Sequence, residues 1–186
     1  MNYEDFKNLV PRFSDRAQAG RELARELEKY GNRPNTIVAG LPRGGVVTAA
    51  AIADALDLPL EVIVVRKLGA PGHEELAIGA IAQGGVRVLN FEVIAALRIT
   101  PDEIEAETKR QERELARRER MFRGDREPLD LRAANLLIID DGLGTGSTME
   151  AAIAVARRSG AAHIVAGVPI STVQTYRRLR LQADDL

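Results

Sequence analysis

The chain has 186 residues, 45% of them hydrophobic and 28% charged, with a formal net charge of −1 and no cysteine. That size and balance fit a single α/β domain over residues 1–186, and the near-neutral charge argues against nucleic acid or an anionic membrane as partner. The lack of Cys excludes disulfides, thiolate catalysis and Cys-based metal sites. With no apolar run of membrane-spanning length and no secretory leader pattern, the expected setting is the cytoplasm.

Residues 1–13 carry Tyr3, Phe6, Leu9, Val10 and Phe13, which suit an amphipathic arm packed on the body or on a partner. Ser14 and Asp15 then cap a helix that runs to Tyr30 and stops at Gly31. Its buried face is read as Ala17, Leu23, Ala24, Leu27 and Tyr30. Thr36 to Ala39 is a buried strand, and Gly40-Leu41-Pro42-Arg43-Gly44-Gly45 a loop. An Ala-rich helix follows from Val46 to Leu56, and the next strand runs from Leu60 to Val65. Strand, loop, helix and strand in that order predict a right-handed parallel βαβ unit. The loop lies where open α/β sheets bind ligands, and its glycines and Arg43 suit an anion.

Arg66 and Lys67 follow, then Leu68 to Glu75, where Gly69, Pro71 and Gly72 predict a loop without regular structure. The basic pair is placed to face a second anion, and His73 is an acid/base candidate. Ala77 to Ala82 and Val86 to Leu89, joined by Gln83-Gly84-Gly85, read as a β-hairpin. Phe91 to Leu97 is a strand or a short helix. Thr100 caps a long helix to about Phe122 with Pro101 in its first turn, acidic residues early and arginines late, an order that complements the helix dipole. Its interleaved glutamates argue against nucleic-acid binding. Gly124 to Ala134 is a linker.

The most informative stretch is Leu136 to Thr148. Four branched apolar residues make a short buried strand, Asp140 and Asp141 sit at its carboxyl end, and Gly142-Leu143-Gly144-Thr145-Gly146-Ser147-Thr148 leads directly into a helix from Met149 to Arg158. Glycines allow close backbone approach, and successive N–H groups at a helix N-terminus form a cradle for one phosphate. Hydroxyls of Thr145, Ser147 and Thr148 add donors. Two carboxylates repel a phosphate but accept hydrogen bonds from vicinal hydroxyls, so the stretch suggests a sugar phosphate. A Walker loop would need a Lys before its Ser/Thr, and the dinucleotide fingerprint a later third Gly with its acid downstream. In receiver domains an acidic pair ends the first strand, whereas most of this chain precedes Asp140. His163 to Val168 is a further strand, and Ser171 opens a last helix to about Leu181, followed by Asp184-Asp185-Leu186.

Ile138 to Thr148 resembles the phosphoribosyl pyrophosphate signature of the type I phosphoribosyltransferases: apolar residues, two acids, three variable residues, then Thr-Gly-x-Thr. The loop Gly40 to Gly45 is similar to that family's pyrophosphate loop, which commonly carries a cis non-proline peptide, here by position Pro42–Arg43. Leu68 to Glu75 resembles its mobile catalytic loop. Leu-Pro-Arg-Gly-Gly-Val and Arg-Lys-Leu-Gly-Ala-Pro-Gly look most like stand-alone bacterial members of unassigned base. The resemblance implies a three-layer, open, mainly parallel sheet flanked by helices, with a β-hairpin and a long helix inserted between its halves. It implies transfer of phosphoribose from phosphoribosyl pyrophosphate, with Mg²⁺, to a purine or pyrimidine base in nucleotide metabolism, by a homodimer. Asp140 to Thr148 would hold ribose and 5′-phosphate. Leu41, Pro42, Arg43, Gly44, Gly45, Arg66 and Lys67 would hold pyrophosphate. Asp140, Asp141, Arg66 and Lys67 would be catalytic, with any direct protein ligation of the metal by the two acids. Relatives usually continue past the last helix with another strand and a tail that helps form a hood over the base; that part is expected to be short or absent here. This leaves open a regulatory, nucleotide-binding or phosphoribosyl-pyrophosphate-binding role on the same fold, while hydrolysis lacks a water-activating constellation.

Overall fold

The computed structural model describes residues 13–124, 126–127 and 129–186. Except for Phe13, which is half-buried, the N-terminal arm expected from sequence lies outside them. Helix α1, Arg16–Gly31, is capped by Asp15, whose carboxylate accepts from the Gln18 amide at 2.7 Å. Its buried face is Ala19, Gly20, Ala24, Leu27 and Tyr30; Ala17 and Leu23, expected on that face, are only half-buried. Strand β1 is Thr36–Gly40 and helix α2 is Gly44–Leu56. The helix thus starts two residues before Val46, and the glycines read as loop are its first turn.

The strand expected over Leu60 to Val65 divides in two. Strand β2 is only Leu60–Val62; after a break at Ile63 and Val64 the chain enters β3, Val65–Ala70, in a different sheet. Strand β4, His73–Ala82, pairs antiparallel with β3, and β5, Val86–Leu89, pairs with β4. The stretch Leu68 to Glu75, expected to be irregular, is therefore mostly strand, with its turn at Pro71-Gly72. Gly69 breaks the register instead of the strand: an added Cβ there would stand 2.8 Å from the Glu74 carbonyl oxygen, so only glycine allows the close strand approach.

Phe91–Ala96 is a helix, α3, capped by Asn90. Helix α4, Pro101–Arg123, opens with a reciprocal capping box between Thr100 and Glu103. Strand β6, Asn135–Ile139, leads to helix α5, Ser147–Arg158; strand β7, His163–Gly167, leads to helix α6, Val173–Leu179. Thr172, not Ser171, caps α6, and the helix ends short of Leu181.

The main sheet is wholly parallel in the order β2-β1-β6-β7. Leu136 and Ile138 face the core under α5, whereas Leu137 and Ile139 face the core under α1 and α2. Burial on both faces explains why β6 reads as a continuous apolar run. A third core lies under α4, where Val64, Leu68, Ile78, Ile81 and Leu115 meet. The parallel sheet with an inserted hairpin and long helix, expected from the sequence, is thus extended by one strand, which makes the insert a three-stranded sheet. The insert is tied back by a buried ion pair: Arg123 Nη2 to Glu61 Oε1 at 2.8 Å. The same guanidinium donates to the Val62 carbonyl, and Glu61 Oε2 accepts from the Leu129 amide at 2.7 Å. Beyond α6, residues Asp184 and Asp185 run beside β7, and Asp185 is anchored by Lys29 and Tyr30.

Candidate active site

Strands β1 and β6 are neighbours in register, with Gly40 opposite Ile139. They end together, and the Leu41 amide donates to the Ile139 carbonyl at 2.9 Å just as the two chains diverge. The two glycine loops therefore open side by side at one edge of the sheet. Their proximity is visible in what glycine permits. A Cβ on Gly44 would collide with the Asp141 carboxylate. One on Gly45 would stand 2.6 Å from the Ile139 carbonyl oxygen and 2.8 Å from the Asp140 Cα. The Pro42–Arg43 peptide is cis, at the position the family resemblance implies.

The helix ends distinguish this edge. Among the described residues there are six helices, and four of them have a side chain that caps the first turn: Asp15, Asn90, Thr100 and Thr172. The other two are α2 and α5, whose N-caps are Arg43 and Gly146 and make no side-chain cap. Uncapped ends leave backbone N–H groups for a ligand and present the positive end of the helix dipole. These two helices are the ones that follow the glycine loops.

The second loop is held from behind. Gly146 takes φ +77, and Thr175 Oγ1 of α6 donates to the Gly144 carbonyl at 2.8 Å. Arg178 donates to the Thr145 carbonyl and pairs through Nε with Glu150 at 2.6 Å. The Leu143 amide is bonded to the Ile170 carbonyl. With those carbonyls tied back, the front of the loop is left open. The Thr145 and Ser147 hydroxyls are 3.2 Å apart, and a Cβ on Gly144 would meet nothing within 4 Å. Of the loop's three glycines, Gly142, Gly144 and Gly146, only Gly146 takes positive φ.

Asp140 and Asp141 differ in surroundings. Burial pushes the Asp140 carboxyl up to about 6, opposed in part by the Asp141 amide, which donates to its Oδ1 at 2.9 Å. Asp141 is paired with Arg16 of α1, Nε to Oδ2 at 2.7 Å. Arg16 was not foreseen, since 125 positions separate the partners and no local pattern links them.

Arg66 and Lys67 lie on β3 and not at the end of a parallel strand, yet the insert brings them to the same place. A cleft of about 500 Å³ is lined by Pro42, Arg66, Lys67, Arg118, Thr145, Ser147 and Thr148, together with Glu75 and apolar residues. Arg66 donates through Nε to Gln111 at 3.0 Å, and burial lowers its pKa. Lys67 donates to the Glu75 carbonyl at 3.0 Å, with the Glu75 carboxylate 3.6 Å away. His73 is exposed at the start of β4 and does not line the cleft.

The family described as "Phosphoribosyl transferase domain" matches residues 12–183. The chain belongs to the phosphoribosyltransferase family. It is 42% identical over 174 residues to a Mycobacterium tuberculosis protein whose name assigns it provisionally to the phosphoribosyl transferases. That match covers 94% of this chain and 39% of the relative, so the chain spans about two fifths of that protein's length. It is 31% identical to an adenine phosphoribosyltransferase of Mycobacterium avium, with 88% of this chain and 70% of that protein covered. Among solved structures, a protein of Thermus thermophilus superposes with a TM-score of 0.86 at 36% identity, covering 95% of this chain and 83% of the other. A Bacillus anthracis hypoxanthine-guanine phosphoribosyltransferase shares the fold alone, with a TM-score of 0.51 at 9% identity over 86% of this chain and 70% of that one. Membership fits the mainly parallel sheet flanked by helices. Among the described residues no helix is long and apolar enough to cross a membrane.

Proposed function

We propose that this domain transfers phosphoribose from phosphoribosyl pyrophosphate to a nitrogen base, purine or pyrimidine, with release of pyrophosphate. The observation that carries the reading is the pair of uncapped helix N-termini on neighbouring strands with Asp140 and Asp141 between them. A ligand with an anion at each end and hydroxyls in the middle fits that order. The loop Gly142 to Thr148 takes the 5′-phosphate, the acids take the ribose hydroxyls, and Leu41 to Gly45 with Arg66 and Lys67 takes the pyrophosphate.

The chemistry is charge management. C1 of the ribose becomes oxocarbenium-like as pyrophosphate departs, much as in glycoside cleavage. Fixed amides and cations stabilise the negative charge that gathers on the leaving group. Asp140 and Asp141 orient the ribose and lie beside the carbon that becomes positive. Arg16 occupies Asp141 in this structure, so ribose binding exchanges that pair for hydroxyl donors. Beyond the ribose, Ile170 reaches the Gly142 loop, and Val168 and Pro169 beside it offer an apolar surface to a flat base.

Mg²⁺ belongs to the same proposal. The donors here are oxygens, and among the described residues no group of three or more His, Asp or Glu side chains is arranged to hold a metal ion by itself. That suits an ion that takes most of its ligands from substrate oxygens and water, with Asp140 and Asp141 nearest on the protein. When bound, it neutralises charge on the diphosphate.

The experiment is a thermal-shift panel with phosphoribosyl pyrophosphate, Mg²⁺ and each nucleobase, followed by product analysis. Stabilisation by the diphosphate compound and base-dependent release of pyrophosphate are expected. Binding without turnover against every base would assign the domain to ligand sensing.

A further inference from the structure

The insert supplies one cation to the cleft that neither glycine loop nor the Arg66-Lys67 pair accounts for. Helix α4 lies on the antiparallel sheet by one face, with Thr108, Gln111 and Leu115 buried. Arg118 is seven residues beyond Gln111 and three beyond Leu115, so it continues the same face. Arg118 lines the same cleft as Pro42, Arg66 and Lys67, whose wall also includes Thr145, Ser147 and Thr148.

Its local bonding resembles that of Arg66. Arg118 donates through Nε to Glu114 at 2.9 Å, and Arg66 through Nε to Gln111 at 3.0 Å. Among the described residues neither guanidinium has a second hydrogen bond, so in both the inner nitrogen is tethered to α4 and the terminal fork is unengaged. The two cations lie close enough that Arg118 helps depress the Arg66 pKa. Arg66 hydrogen-bonds the Gln111 amide oxygen and not a carboxylate, and Glu114 and Glu107 offset only part of the repulsion from Arg118 and Arg110, so an anion between the two guanidinium groups would be favourable. A forked guanidinium matches the paired oxygens of a phosphate better than a lysine does.

We infer that Arg118, from the inserted helix, is a pyrophosphate-binding residue that acts with Arg66 as a two-arginine clamp on the diphosphate end of the substrate. The inference rests on the proposed phosphoribosyl pyrophosphate site. Arg117 supplies a matched control, because it shares Glu114 but does not line the cleft.

The test is titration calorimetry of the whole chain with Mg²⁺ and either phosphoribosyl pyrophosphate or ribose 5-phosphate, on the wild type, Arg118→Gln, Arg118→Lys and Arg117→Gln. Loss of a charged hydrogen bond should weaken the diphosphate compound about tenfold or more in Arg118→Gln. Arg118→Lys should recover only part of it, and Arg117→Gln should match the wild type. Ribose 5-phosphate, which lacks the diphosphate, should bind all four proteins alike. Equal affinities for the diphosphate compound in Arg118→Gln and Arg117→Gln would overturn the assignment, as would equal weakening of both ligands. A wild type that binds the diphosphate compound no more tightly than ribose 5-phosphate would overturn the substrate reading, and this assignment with it.

Discussion

The parallel sheet and the antiparallel insert build their parts of the cleft by different means. At the parallel edge, binding groups are backbone. Two strands end in register, two glycine loops turn into two uncapped helices, and the donors are peptide N–H groups whose positions follow from the sheet. In the insert they are side chains. Arg66, Lys67 and Arg118 reach the cleft because α4 and the three-stranded sheet are docked on the rest of the domain, through packing of that sheet on α5, a shared apolar core and the buried Glu61–Arg123 pair. Backbone sites are rigid and sequence-tolerant. Side-chain sites can be repositioned as a block, which suits the half of a pocket that must admit and release a substrate.

The sharpest way to break that division is Arg123→Ala. The pair is buried, with side-chain exposure of 10% for Arg123 and 6% for Glu61. Removing one partner of a buried pair leaves the other charge stranded and costs about 3–5 kcal/mol. Chemical denaturation should show that loss. Phosphate should still protect the Gly142 to Thr148 loop in the protein that remains folded, since Thr175 and Arg178 of α6 hold its carbonyls.

Next in size are the acids. Asp140→Asn and Asp141→Asn keep volume and lose charge, and a hydrogen bond to a charged group is worth about 1.5–3 kcal/mol. Calorimetry should show phosphoribosyl pyrophosphate affinity falling about tenfold or more per acid, with the fold unchanged by circular dichroism. Unchanged affinity would make the acids structural. Gly144→Ala separates folding from binding in a different way. A Cβ there meets no protein atom within 4 Å, so thermal stability should hold, while inorganic phosphate affinity should drop about tenfold because the methyl stands where the ligand approaches. Normal phosphate affinity in that variant would move the anion off the loop.

The smallest expected effect is with pH. Burial holds the Asp140 carboxyl up to about 6, above its ordinary 3.8. The folded protein therefore keeps that proton better than the unfolded chain does. The stability this contributes is complete below the ordinary value and is lost as pH rises through about 6. If Asp140 takes the ribose as proposed, ligand affinity should run the other way, because the ribose hydroxyls would need the ionised acid. Between about pH 7.5 and pH 5.5 affinity should fall a few-fold, in step with the ionised fraction. Asp140→Asn should flatten both trends.

This contrast also explains what could be read from sequence. The parallel half was legible because its signals are local: a four-residue apolar run, acids at its end, glycines and hydroxyls before a helix. Caps at Asp15 and Thr100, with Pro101 behind the latter, marked two helix starts for the same reason. Gly44 and Gly45 look like loop in sequence, yet they give α2 a first turn close enough to touch Asp140 and Asp141. The insert was less legible. Gly69, Pro71 and Gly72 signal a break locally, but pairing with β4 overrides that signal and leaves only a tight turn. Arg16, Arg118 and Arg178 carry no local signature at all. Each acquires its role from a partner on a distant segment, and only the fold reveals which of the chain's many arginines those are.

In the proposed complex the two uncapped helix ends receive the two anionic ends of one ligand. The most direct measurement is a crystal structure of the protein with phosphoribosyl pyrophosphate and Mg²⁺, or with sulfate in their place. The expected result is one anion on the amides of Thr145 to Thr148 and a second at Arg43 to Val46, with the ribose hydroxyls on Asp140 and Asp141 when the full ligand is bound. Both helix ends empty, with the ligand held elsewhere, would contradict the account.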